Sequence, residues 1–545
     1  GGPVRLAVLP FDNLGDSADA YFADGLTDAV RNKLAALNGI EVIASTSSGQ
    51  YRHTTKTAQQ IGQELGARYL LVGKVRWARV SPTQSRVEVS PELIDATSAA
   101  DKWGAPFDAP ITDVFQVQAD IAGKVAQQLK VALTPAVQHT LAQQPTHSLD
   151  AYDAYLHGER IEQGSAAPVA LRRAVSAYEE AIELDSTFAL AWAGLAITKS
   201  RIYFNGVPLP AVGDSAHSAA ARALELAADL PEAHAAMGLY YQLVARDAGE
   251  ALAEDSVALA RAPNNVAVLR RTAQTEGSLG RWPAAVEHLR RAARLDPRAA
   301  IVAELLGRAD TWLRHYPAAR EELDHAFTLQ LGDPSLVQDR VTVALAEGDL
   351  VGARAIIHGA LATVDSASLF AYLATYYDLG WVLDSAQERV LLGLGPAAFG
   401  DDRTTRSIVF AQQYELRGDR ARARVYADTA RAGFEAQLKA APNDPQRHVL
   451  LGLVLAYLGR KADAVREGER GVSLLPISKD AYGGAYNQHQ LVRIYMVVGE
   501  PEKALDELEP LLKIPYYLSP AWLKIDPNFA SLRGNPRFER LVSGS

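Results

Sequence analysis

The 545-residue sequence contains no cysteine. That excludes disulfides, thiolate catalysis and cysteine-ligated metals, but it leaves the redox compartment open, because an exported protein can simply avoid thiols. Long apolar runs are also missing, and no stretch reaches the roughly 18 uninterrupted residues needed to cross a bilayer. Nucleotide-binding signatures fail on inspection: Gly73-Lys74 has no glycine-rich loop before it, and Gly393-x-Gly395 runs into Pro396 instead of a third glycine. The twelve histidines include no metal-ligand pair four residues apart with a glutamate. Most, such as His288 and His325, fall in helical segments as packed or solvated side chains. Positive charge is in deficit, with 55 basic against 64 acidic side chains and a net charge of −9, which argues against nonspecific nucleic-acid binding. There is no initiator methionine. The opening Gly1-Gly2-Pro3 is expected of a cleaved or recombinant piece of a longer protein.

What the chain does have is a period. Ala251, Ala285, Ala319 and Ala353 recur every 34 residues, and Ala258, Ala292, Ala326 and Ala360 keep the same interval. Pro263 with Pro297, and Trp282 with Tyr316, share it. Small residues at fixed places in a 34-residue unit predict helix-turn-helix hairpins that bury their apolar faces only by stacking on neighbours. Glycine at the hairpin turn with alanine five positions later repeats in Gly280/Ala285, Gly348/Ala353, Gly418/Ala423, Gly459/Ala464 and Gly499/Ala504. Spacing is irregular near Asn205–Gly213, near Gly393–Asp402, and at Ala421–Ala440, where a long helix is expected in place of a turn.

The first part of the chain reads differently. An apolar run over residues 4–9 closed by Pro10 predicts a strand, and Tyr21, Phe22, Leu26, Val30, Leu34 and Leu37 follow at helical spacing until Asn38-Gly39. A strand at Glu41–Ala44 and a helix from Thr57 to Leu65, capped by Gly66, continue a β-α-β-α order. Tyr69–Val80 and Arg86–Asp95 predict two strands joined by the turn Ser81–Ser85, and Trp103 with Phe107 suggest one more. Pro91 cannot donate to a ladder, so it should mark an edge or a bulge. An amphipathic helix carrying Ile111, Val114, Phe115, Ile121, Val125 and Leu129 completes the unit.

The segments AVLPFDNLGDSADAYFADGLTDAV (Ala7–Val30), VIASTSSGQY (Val42–Tyr51), IGQELGARYLLVGKVR (Ile61–Arg76) and LIDATSAADKWGAPFD (Leu93–Asp108) resemble the α/β domain related to the N-terminal domain of TolB. Trp192-x-x-Leu195, His234-x-x-Met237-Gly238-x-x-Tyr241, Leu306-Gly307 and Leu451-Gly452-x-x-Leu455 resemble tetratricopeptide repeats. The expected fold is therefore an α/β N-terminal domain over residues 1–145, then an all-α tetratricopeptide-repeat superhelical solenoid over residues 146–515 with about nine or ten hairpins. A capping segment over residues 516–545 is expected to cover the last hairpin with Trp522, Phe529 and Phe538. The resemblance further implies a right-handed superhelix with a concave channel for a peptide or protein.

Catalytic chemistry is not visible, and no cofactor or metal is expected. Asp12, Asn13, Asp16, Asp19 and Asp24 crowd one loop and supply oxygens for a hard cation, but their spacing does not match a calcium loop, and caps and turns use the same residues. Ser45–Gly49 offers hydroxyls to an anion, or is simply a polar loop after a strand. Adjacent tyrosines on a helix point about 100° apart. One member of Tyr240-Tyr241, Tyr376-Tyr377 and Tyr516-Tyr517 is thus expected in the core and the other on the groove, with Tyr240, Tyr241, Tyr376 and Tyr377 as candidate partner-binding residues.

The joined resemblance implies a noncatalytic sensory or protein-binding region of a larger bacterial signalling protein. A transmembrane serine/threonine kinase is the leading parent, with this soluble portion extracytoplasmic (periplasmic) and open to self-association. The same modules accompany adenylate cyclases and winged-helix transcription regulators, and a free-standing cytoplasmic assembly adaptor is a further alternative.

Overall fold

The computed structural model describes residues 3–37, 39–78, 85–164, 168–205 and 209–543. Its strands are β1 (Val4–Val8), β2 (Asp12–Asn13), β3 (Ile40–Ile43), β4 (Tyr69–Ala78), β5 (Arg86–Asp95), β6 (Ala100–Gly104) and β7 (Phe107–Pro110). The sheet order is β3-β1-β4-β5-β6, with β2 beside β4 and β7 beside β5. The β1 contacts to β3 and β4 are parallel, whereas β4–β5 is antiparallel over its whole length. Strand alternation divides the core: Leu6 and Val8 join one apolar cluster while Ala7 and Leu9 join another. The first cluster lies under α1 (Ala20–Ala35) and α4 (Val114–Gln128), and the second lies under α3 (Ala58–Leu65). Thr57 and Gln60 cap α3 reciprocally, and Gly66 ends it in the left-handed region at φ 59°.

Two strands, β6 and β7, stand where the sequence suggested one, because Ala105 and Pro106 interrupt the ladder. That interruption explains Pro91. β5 pairs with β6 from Glu92 onward and with β7 up to Val89, so Ser90 and Pro91 face the gap between them. The first helix stops at Ala35, two residues before Leu37. Its expected stop at Asn38, the turn over residues 81–84, the last two residues of the expected strand to Val80 and the opening Gly1-Gly2 lie outside the described residues, as does the middle of the irregular stretch near Asn205–Gly213.

α2 (Ser45–Ser48) is a single helical turn and α5 (Pro135–Ala142) a short helix before the repeats, which begin with α6 (Leu149–Gly164). A long stack of helices follows, packed pairwise. Both alanine rows are buried, none of their members more than 3% exposed, since the helices of a hairpin approach closely only over small side chains. The period also governs the backbone. Positive φ occurs at Arg246, Gly280, Arg314 and Gly348, 34 residues apart, so the turn keeps its left-handed residue even where an arginine must adopt it. Arg420–Ala440 is one 21-residue helix, and a 3-10 turn at Pro396–Phe399 breaks the pattern near Gly393–Asp402.

The chain forms two compact units, residues 1–275 with 287–299, and residues 276–286 with 300–545. In the first, the α/β layer and the first hairpin share one core, in which Ala151, Tyr152, Leu156 and Phe188 pack with Phe22, Leu26 and Phe115. A second attachment joins the layer to Asn264 and to residues 295–298 of the same unit. The Ala44 amide donates to the Leu295 carbonyl at 2.8 Å, Asn264 donates to the Ile40 carbonyl at 3.3 Å, and Ser47 donates to buried Asp296 while accepting from the Arg298 amide at 2.9 Å.

Candidate functional site

Between these attachments lies a cleft of about 720 Å³. α6 seats on α1 at Gly25, where a Cβ would stand only 2.6 Å from Leu156. Beside it the Tyr21 ring stacks on His157 at 3.9 Å and its hydroxyl donates to Asp153 at 2.5 Å. Tyr21, Asp24, Asp28 and Asn32, at helical spacing along α1, form one wall, and Tyr152, Tyr155, Glu159 and Arg160 of α6 with Glu232 form the other.

The lining is charged with both signs. Asp24 accepts from Arg52 and, at 3.1 Å, from Arg160. Arg31 pairs with Asp28 and donates to the Val8 carbonyl at 3.1 Å; burial lowers its guanidinium to about 10, against the pull of Asp24. Lys33 donates to the Leu141 and Gln143 carbonyls at 2.5 and 3.3 Å, and burial lowers it too. Carboxylates gather on the repeat side. Burial, and then the neighbouring Glu162 charge, push Glu159 up to about 7. Glu162 is also raised by burial, although Arg201 pairs with it at 2.6 Å. The Tyr178 hydroxyl is within hydrogen-bond distance of both acids, 3.2 Å from Glu159 and 3.0 Å from Glu162. Burial raises Glu232 as well. The lining is thus polar and mixed in charge, and among the described residues it groups no nucleophile with a base and an orienting group. Tyr155, Glu159 and Glu162 stand at i, i+4 and i+7, a spacing that puts them on one helix face and was readable in advance.

The loop rich in aspartate takes structural roles. Asp16 caps the turn at Ser17–Asp19 by accepting from the Ala18 amide, Asn13 accepts from the Gly15 amide, and Asp24 belongs to the ion pairs above. Ser45–Gly49 is not a free anion loop, since Ser47 is fully buried against Asp296. Among the described residues, no three His, Asp or Glu side chains are grouped to hold a metal ion.

The tyrosine pairs behave differently from one another. Tyr240 and Tyr241 are both half-buried, with ring centroids 5.5 Å apart, and the second opens a π-helical turn at Tyr241–Ala245. Tyr376 is 53% exposed, whereas the Tyr377 hydroxyl lies 3.0 Å from that of Tyr482. Tyr516 and Tyr517 overturn the one-in, one-out expectation. Both are 1% exposed, because the chain leaves helical geometry there and both rings turn into the second unit.

The C-terminal segment lies against the last hairpin and also reaches beyond it. Its end covers the last hairpin: Arg537 reaches Glu509 and Asp506 at 2.6 and 2.7 Å, and Phe538 is buried beside them. Phe529 also packs on the last hairpin, against His489 of its first helix Gly483–Val498, whereas Trp522 faces an earlier part of the second unit. Tyr516 lies 5.8 Å from Trp312, Trp522 6.2 Å from Trp381 and Phe529 6.0 Å from His489, measured between ring centroids. The Ser519 hydroxyl donates to the Ala346 carbonyl at 2.5 Å.

No family model matches the chain. It is 30% identical over 203 residues to "Putative adenylate cyclase 3" of Rhizobium meliloti (strain 1021), a match covering 37% of this chain and 33% of that protein. The match thus spans only about a third of the relative's length. Among solved structures, the human IFIT1 dimer with m7Gppp-AAAA is 16% identical, covering 66% of this chain and 77% of that one with a TM-score of 0.36. Pseudomonas aeruginosa PilF is 20% identical over 46% of this chain and 93% of its own, with a TM-score of 0.30. YrrB, described as a TPR protein with an unusual peptide-binding site, is 18% identical over 36% and 94%, at 0.24. These scores carry no inference about ligand.

Proposed function

We propose that the chain is the noncatalytic regulatory region of a larger signalling enzyme, and that the cleft between α1 and α6 receives a peptide or protein segment. The observation that carries this reading is the cleft itself, open along one face of α1 and lined by fixed charges of both signs. Adenylate cyclase is the better-supported parent, because the Rhizobium relative bears that name. A serine/threonine kinase parent rests on the TolB-like and tetratricopeptide resemblance alone, and the extracytoplasmic placement goes with it. Among the described residues no helix is long and apolar enough to cross a membrane.

The test is to express the complete natural reading frame and assay both cyclic AMP formation from ATP and phosphate transfer to protein. Cyclic AMP formation supports the cyclase parent, and phosphate transfer alone returns the reading to the kinase. Either activity in the isolated chain would overturn the noncatalytic assignment. In the complete protein, Asn32→Trp, which obstructs the cleft from its exposed wall, should change the regulated rate severalfold. An unchanged rate would detach the cleft from function.

A further inference from the structure

The surface beneath Tyr516–Leu532 in the second unit is unlike the alanine and leucine seams of the repeats. Asp378 accepts there from Arg493 at 2.6 Å, from Gln490 at 2.9 Å and from Gln412 at 3.1 Å. His489 meets the Tyr517 hydroxyl at 3.2 Å, and the Tyr377 ring packs on that of Tyr517 with centroids 4.7 Å apart. Polar groups are costly to bury, and ion pairs placed in a core add little stability over apolar side chains of similar size. Converging arginine, tyrosine, histidine and glutamine side chains are instead the composition of a recognition surface. The backbone at this surface is strained as well, since Tyr377 and Asp378 are consecutive non-glycine residues at φ 58° and 56°. Such conformations persist where the surroundings hold them for a purpose.

The occupant of this surface has the form of a bound peptide. It is a six-residue helix, Pro520–Ile525, and a 3-10 stretch, Pro527–Leu532, rather than another hairpin. It is anchored by aromatic side chains and by Ser519 on the last turn of the helix Pro334–Ala346.

We propose that this face of the second unit is a recognition surface for an aromatic-rich peptide segment, and that Tyr516–Leu532 fills it as a built-in ligand. An external segment of the same chemistry, with paired aromatics, a serine hydroxyl for the Ala346 carbonyl and a tryptophan, enters when the chain's own segment leaves. The proposal does not depend on the cleft of the first unit.

Two experiments on the full chain test it. A fluorescein-labelled peptide of residues 514–532 should bind Trp522→Ala at least tenfold more tightly than wild type by anisotropy, and a peptide with both tyrosines and the tryptophan changed to alanine should not bind. Equal binding to both proteins, or binding of the altered peptide, overturns the proposal. Hydrogen exchange on wild type covers the case in which Trp522→Ala fails to fold. The Trp522, Leu523 and Asp526 amides should exchange at least tenfold faster than the interior of the helix Gly483–Val498. Exchange in step with that helix would make the segment a fixed part of the core and sink the proposal.

Discussion

Asp378 and Arg493 are separated by 115 positions in the chain and meet at 2.6 Å. Burial opposes the arginine's charge, but Asp378, with Tyr457 and Asp526, outweighs it and holds the guanidinium above its ordinary range. Asparagine tolerates the left-handed backbone at this position, so Asp378→Asn removes charge while keeping the turn. The variant should lose about 3–5 kcal/mol of stability, the typical cost of leaving a buried charge unpaired. Urea unfolding followed by hydrogen exchange in the helix Gly483–Val498 measures it, and a loss below about 1 kcal/mol would show that the pair is not needed.

Glu159 gives the first unit a pH dependence. Its carboxyl titrates near 7 in the folded chain, above the ordinary glutamate value, so between those values the folded state binds more protons than the unfolded one. Stability is then greatest below the ordinary value and falls as pH rises toward 7. Glu159→Gln removes this contribution and should be more stable than wild type by about 1–3 kcal/mol at pH 8, with the difference shrinking toward pH 4.5. Melting curves of both proteins across that range decide it. A constant difference would mean that Glu159 is not shifted.

Ser47→Ala should loosen the attachment of the α/β layer to residues 295–298. It strips a hydroxyl partner from Asp296, which is 4% exposed, and an acceptor from the Arg298 amide. The expected cost is about 1–3 kcal/mol, read as a lower melting temperature and faster hydrogen exchange at Ala44.

Gly25→Val tests the seam between α1 and α6. Its new methyl groups would enter the space held by Leu156, and overpacking of this kind costs about 1–3 kcal/mol. A variant as stable as wild type would show that α6 can shift without penalty.

Much of this architecture was legible because it repeats locally. The 34-residue alanine rows, the glycine turns and the capped helix ending at Gly66 each carry their signal within a few residues. What escaped reading joins distant segments. Nothing near Ser47 announces Asp296, and nothing near Ser519 announces Ala346, 173 positions earlier. The adjacent tyrosines misled for a related reason: the 100° rule holds only on a helix, and Tyr516 and Tyr517 are not on one. The cleft was hidden because its two walls come from different parts of the chain, although the helical spacing of Tyr152, Tyr155 and Glu159 marked one of them.

The gap opposite Pro91 has a consequence for how the protein meets other chains. A long, straight outer strand would invite another molecule to add to the sheet, but here that border is split into β6 and β7, of five and four residues. At the opposite border, β3 is covered by the Asn264 and Leu295 contacts. Neither border is a ready template for strand addition, the usual route to sheet-driven aggregation. Association through this layer is thereby directed to side chains and helices.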